Sequence, residues 1–169
     1  MIRSLRLPLL LVAVLVAGAC TDPDRLRGGA GANDPNALGL NGGGGDPASP
    51  AYFQSTVGDR VLFAVDQSTL GDEAKQVLAG QAQWLNNNTS YSAIVEGHAD
   101  EQGTREYNLA LGARRANAVQ EYLISQGVAG TRLRTVTYGK ERPLEICSEE
   151  ACYAKNRRAV TLLNNATGS

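Results

Sequence analysis

Histidine occurs once in this chain, at His98, and cysteine three times. That scarcity leaves little from which to build a metal centre of nitrogen and sulfur ligands. An excess of charge is also missing, because 16 Lys and Arg stand against 17 Asp and Glu for a net charge of −1. Nothing in that balance favours nucleic acid or an anionic membrane surface as a partner. Long apolar runs are absent as well. The longest, Leu7 to Ala17, is interrupted by Pro8 and falls short of the roughly 20 residues a spanning helix needs. What the chain does contain, 169 residues of which 43% are hydrophobic and 20% charged, suffices for one globular domain with residues to spare.

Arg3 and Arg6 precede the apolar run, and Gly18 and Ala19 close it with small residues. This is the pattern of a secretory signal over residues 1–19. Cys20 follows directly, and Val16-Ala17-Gly18-Ala19-Cys20 resembles a bacterial lipobox, with Ala17 where Leu is usual. The resemblance implies acylation of Cys20, and Thr21 after it implies sorting to the outer membrane. The rival reading is an ordinary signal peptide that happens to end beside a cysteine. Residues 20–50 are crowded with Gly, Pro, Asp and Asn and read as a flexible tether. About thirty such residues have a root-mean-square span of about 30 Å and a stretched limit near ~100 Å.

Cys147 and Cys152 enclose four residues in a polar stretch. In the oxidising compartment that export implies, the pair is expected to form a local disulfide contributing about 2 kcal/mol. Metal binding by the same pair lacks a third and fourth sulfur ligand.

Residues 51–169 carry alternating strand and helix signals. Val57 to Val65 is rich in β-formers, and Tyr91 to Glu96, Leu133 to Tyr138 and Arg158 to Leu163 read as further strands. Asp72 to Asn87 sets Ala74, Val77, Leu78, Ala82 and Leu85 on one helical stripe behind acidic Asp72 and Glu73. Tyr107 to Gln126 is a second helix, with Gly127 as its cap, and a short helix is expected over Glu149 to Asn156. The order βαβαβ(α)β predicts an α+β two-layer sandwich, with helices on one face of a mixed four-stranded sheet.

The segment Glu96 to Arg115 places carboxylate, amide and guanidinium groups beside one another. Asn108, Leu111 and Arg115 share a helix face, and Asp100 lies in the loop that feeds the helix. An acid near an arginine fork suits a ligand bearing both ammonium and carboxylate, as the end of an amino acid does. Read from these residues alone, an equal alternative is architecture: Asp100 complementing the helix start, with Arg115 as its internal partner.

Val95-Glu96-Gly97-His98-Ala99-Asp100-Glu101, Tyr107-Asn108, Leu111 through Val119, Tyr138-Gly139-Lys140-Glu141 and Asn156-Arg157-Arg158-Ala159-Val160 together resemble the OmpA-like peptidoglycan-binding domain family over residues 55–163. What the resemblance implies is non-covalent binding of diaminopimelate in the peptidoglycan stem peptide, with Asp100 and Arg115 taking its amino and carboxylate groups. It further implies Asn108 and Leu111 on the same helix face and Asp66 at the pocket edge, where Val65 replaces the usual preceding aromatic. It also implies an outer-membrane lipoprotein facing the periplasm, needing no cofactor, and partnered by TolB and other Tol proteins. Arg114 belongs to a different surface, about 100° round the helix, while Arg157 and Arg158 either line the pocket or brace the sheet. The competing enzyme reading takes Glu96, His98 and Asp100, which alternate, as ligands of a metal-dependent hydrolase. Against it, Gly97 and the turn-like Asp100 to Gly103 invite the strand to end there.

Overall fold

The computed structural model describes residues 45–165. The signal expected over 1–19, the acylation expected at Cys20 and most of the tether lie outside the described residues. The elements run α1 (Pro50–Tyr52) into a π-helical segment (Phe53–Gly58), β1 (Arg60–Leu62), α2 (Asp72–Asn87), β2 (Tyr91–His98) and α3 (Arg105–Ser125). A 3-10 turn (Gly130–Arg132), β3 (Leu133–Gly139), α4 (Glu150–Asn156) and β4 (Arg158–Asn165) complete them. The strand order is β1-β4-β2-β3, with β2 parallel to β3 and the other pairs antiparallel. This is the expected α+β fold with a mixed four-stranded sheet. Val61, Ala93, Val95, Leu133 and Ala159, alternate strand residues, bury one sheet face in a core with Leu78, Ala82 and Leu85 of α2 and Ala116, Val119 and Leu123 of α3.

Local chemistry sets the helix ends. Acidic Asp72 and Glu73 open α2, and Asn88 closes it by donating both its backbone N–H and its Nδ2 to the Trp84 carbonyl, at 2.9 and 2.8 Å. Thr104 caps α3, its Oγ1 accepting the Tyr107 N–H at 3.2 Å. At the other end Gly127, with φ +93, turns the chain so that the Val128 N–H reaches the Leu123 carbonyl.

The first strand is shorter than its β-rich sequence predicts, covering Arg60–Leu62 and not residues 57–65. Tertiary packing overrides propensity here. Phe53 is fully buried and its ring lies 5.0 Å from that of Trp84, which keeps Val57 and Gly58 in the π-helical segment. Gln81 Nε2 then takes the Gly58 carbonyl at 2.7 Å. Packing also begins before residue 51, since Trp84 Nε1 donates to the Pro47 carbonyl at 2.7 Å and Ser49 caps α1.

The second strand is longer than expected, continuing through Gly97 to His98. A Cβ at Gly97 would collide with the Gly112 carbonyl, so the glycine is there for close approach and not to end the strand. Helix α3 therefore lies against β2 and β3 closely enough for Thr137 Oγ1 to donate to the Leu109 carbonyl at 2.9 Å. That contact seats the first half of α3 beside the ends of the strands. The Cys147–Cys152 disulfide, with Cα atoms 6.1 Å apart, ties the loop after β3 to the first turn of α4. Among the described residues, no helix is long and apolar enough to cross a membrane.

Candidate functional site

Arg115 is the largest fully buried side chain among the described residues. A buried guanidinium must have its donors satisfied, and three backbone carbonyls do this. Nε donates to Gln67 O at 2.8 Å, Nη1 to His98 O at 2.8 Å and Nη2 to Ala64 O at 3.2 Å. One side chain thus ties the loop after β1 to the end of β2. Its cation also faces the Phe63 ring at 5.2 Å. Burial lowers the Arg115 pKa to about 10, against the raising influence of Asp100 and Asp66 and with Arg157 adding to the fall. The group stays charged at neutral pH, within the field of both acids.

Asp100 follows β2 and is nearly buried, at 8% exposure. It neither caps α3, a role Thr104 fills, nor forms an ion pair with Arg115. Its partner is Arg157, whose Nη1 donates to Oδ2 at 3.2 Å, while Oδ1 accepts the Gln102 N–H at 3.2 Å. Gln102 also joins Asp100 to Asn108, whose Nδ2 donates to the Gln102 carbonyl at 2.8 Å. Asn108 is buried, and its Oδ1 finds no donor among the described residues. Leu111 is buried one turn on, between Asn108 and Arg115.

Asp66 sits in the loop after β1 with φ +56, the one non-glycine residue in the left-handed region among the described residues. Side chains pay a steric penalty there that short polar residues bear best. Its Oδ1 accepts the Tyr107 hydroxyl at 3.1 Å, which anchors the exposed loop to α3. Val65 beside it is 50% exposed. Asp66, Asp100, Asn108, Leu111 and Arg115 are in this way drawn from three segments to one end of the sheet. Arg114, expected on a different surface, is exposed with its guanidinium 5.9 Å from the ring centre of Tyr107, the residue that bonds Asp66.

The metal-site alternative fails on geometry. Glu96 and His98 do share a face, with Oε2 and Nε2 3.6 Å apart, but Asp100 does not join them, its Oδ2 lying instead 3.2 Å from Arg157 Nη1. No group of three metal-ligating side chains occurs among the described residues. His98 is almost fully buried, stacks beside Tyr138 with ring centres 5.6 Å apart, and has no hydrogen-bond partner on either ring nitrogen among the described residues. Burial, then the positive charges of Arg158 and Arg142, push its pKa down to about 4, so the ring is neutral at pH 7.

Two residues matter more than their sequence signals suggest. Arg157 is buried and grips Asp100, Glu150 and the Phe63 carbonyl. Burial opposes its charge, but the bonds to Glu150 and Asp100 outweigh this and raise its pKa. It therefore backs the candidate site, whereas Arg158 braces the chain by donating to the Asn156 and Arg142 carbonyls. Tyr107, legible only as part of a motif, is the second. Its hydroxyl can be assigned to Asp66 only once the loop is placed.

A model of the OmpA family matches residues 62–157. The chain is 49% identical to the peptidoglycan-associated lipoprotein of Mesorhizobium japonicum, over 92% of this chain and 90% of the relative. Its identity to the protein of the same name from Pseudomonas aeruginosa is 42%, over 88% and 90%. The crystal structure of the peptidoglycan-associated lipoprotein from Burkholderia pseudomallei superposes with a TM-score of 0.65 at 34% identity, covering 70% of this chain and 100% of that one. The C-terminal domain of Helicobacter pylori MotB shares the fold at 20% identity, with a TM-score of 0.59 over 63% of this chain and 84% of its own. By family match, sequence identity and fold, the chain belongs to the OmpA family and groups within it with the peptidoglycan-associated lipoproteins.

Proposed function

We propose that this chain is an outer-membrane lipoprotein that binds peptidoglycan non-covalently and so tethers the membrane to the cell wall. It is a binding protein and not an enzyme. Acylated Cys20 anchors it, the residues up to position 50 give reach, and the domain faces the periplasm. The ligand is the diaminopimelate of the stem peptide, with Asp100 taking the ammonium and Arg115 the carboxylate. Asn108 and Leu111 line the helix side, and Asp66 lines the loop side. Partnership with TolB and the rest of the Tol-Pal system, in envelope integrity and cell division, completes the reading.

The observation that carries it is the convergence of Asp66, Asp100, Asn108 and Arg115 at one end of the sheet in a chain nearly half identical to peptidoglycan-associated lipoproteins. Arg115, Asp100 and Asn108 retain unused hydrogen-bonding valence. Three of the five Arg115 N–H groups bond to carbonyls, which leaves two. Asp100 accepts two hydrogen bonds of about four possible, and Asn108 Oδ1 is unpaired. Charge-assisted bonds contribute roughly 1.5–3 kcal/mol each, and lost rotational and translational freedom offsets much of that. A single contact is therefore modest. Tethering compensates, because a flexible link holds the domain near the wall at an effective concentration on the order of millimolar.

Sedimentation of the purified full-length chain with peptidoglycan sacculi in detergent tests the assignment. Asp100→Asn keeps the shape but removes the charge, and is expected to weaken binding about tenfold or more. Binding equal to wild type would sink it.

A further inference from the structure

Asp100 is connected through Arg157 to Glu150 at the start of α4. Arg157 Nη1 donates to Asp100 Oδ2 at 3.2 Å and to Glu150 Oε2 at 3.4 Å, while Nη2 donates to Glu150 Oε1. Glu150 opens α4 and lies inside the ring closed by the Cys147–Cys152 disulfide. The Arg157 side chain is buried, whereas that of Glu150 is 66% exposed. Glu150 can thus be altered without opening the core.

We infer that Glu150, held in place by the Cys147–Cys152 disulfide, acts through Arg157 to set how strongly the Asp100 carboxylate attracts a ligand ammonium. This rests on the peptidoglycan reading above. A guanidinium facing a single carboxylate closes on it as a two-bond fork. Asp100 paired in that way would have its charge largely cancelled and two more lone pairs occupied. Glu150 prevents this by taking both terminal nitrogens, so that one bond from Nη1 reaches Asp100 and the remaining acceptor sites stay open. The disulfide limits the positions open to Glu150, because the five-residue separation of its cysteines spans the start of α4. Arg157 and Glu150 are positioning residues, and neither needs to touch the ligand.

The experiment compares two stem-peptide ligands on the purified full-length chain, one with the free diaminopimelate side-chain amine and one with that amine acetylated. The ratio of their affinities reports the attraction of Asp100 for the ammonium, whereas a smaller folded fraction lowers both affinities alike. Glu150→Gln is expected to lower the ratio about threefold, the size appropriate to an exposed partner. The double variant Cys147→Ser/Cys152→Ser should shift it in the same direction by about twofold. A ratio unchanged in Glu150→Gln overturns the inference, provided Asp100→Asn collapses the ratio in the same assay. If Asp100→Asn also leaves it unchanged, the peptidoglycan reading fails with it.

Discussion

Arg115 and His98 meet through the backbone: Arg115 Nη1 donates to the His98 carbonyl at 2.8 Å, while the His98 ring stacks beside Tyr138. The guanidinium is therefore both a structural tie and the proposed carboxylate receptor. Its two further bonds, to Gln67 and Ala64, hold the loop that carries Asp66. A residue so placed couples stability to binding.

Arg115→Ala removes hydrogen bonds to three buried or partly buried carbonyls, of which Ala64 O keeps the Gln67 N–H, and is expected to cost about 3–5 kcal/mol of stability. Chemical denaturation monitored by circular dichroism measures this. Loss of wall binding in that variant cannot be assigned to the ligand contact alone, which is why Asp100→Asn is the cleaner probe of the site.

His98 makes stability depend on pH in a defined window. Its folded pKa lies near 4 against an ordinary value of 6.5, so the unfolded chain binds the proton more readily. Stability conferred by the neutral buried ring is fully present above pH 6.5 and is lost as the pH falls toward 4. The total loss amounts to about 3 kcal/mol at most by linkage. His98→Phe keeps the ring volume beside Tyr138 and should flatten this part of the profile. An unchanged difference between pH 7 and pH 4 would exclude His98 as its source.

Asp66→Gly separates conformational strain from function. Glycine accepts the φ of +56 without penalty, so the substitution is expected to raise stability by up to about 1 kcal/mol, less the lost bond to Tyr107. Wall binding should nevertheless weaken, because the carboxylate at the pocket edge is gone. Paired melting and sedimentation measurements check both signs.

Gly97→Ala tests the approach of α3 to the sheet. The added methyl meets the Gly112 carbonyl, a backbone atom that can yield only if the helix moves. A loss of about 2–3 kcal/mol is expected, together with weaker wall binding as Asn108 and Arg115 shift relative to Asp100. Wild-type melting would contradict the close approach.

Most of the fold was legible because it follows local periodicity. Helix α2 begins and ends where Asp72 and Asn87 predict, and Gly127 caps α3 as expected. The structure departs from these expectations where distant contacts compete with local preference. Val57 and Gly58 belong to a π-helical segment because Phe53 packs on Trp84, and β2 passes through Gly97 because Gly112 lies against it. At the site, motif position picks out residues that the fold brings to one end of the sheet, but spacing along the chain does not say which groups they bond. Arg157, which the sequence places either in the pocket or at the sheet edge, is the ion-pair partner of Asp100.

By itself the sequence determined the element order, the family and the residue types available at the site, since these depend on periodicity, caps and motifs within a few turns of chain. Tertiary structure alone decided who bonds to whom. Asp100 and Arg157 are 57 positions apart, and Arg115 and Ala64 are 51 apart. No local spacing encodes such pairs; they exist only once the sheet order β1-β4-β2-β3 brings the ends of separate strands together. The same closure buries the charges, and a buried charge must be satisfied, so Arg115 is held by backbone carbonyls and Asp100 by Arg157.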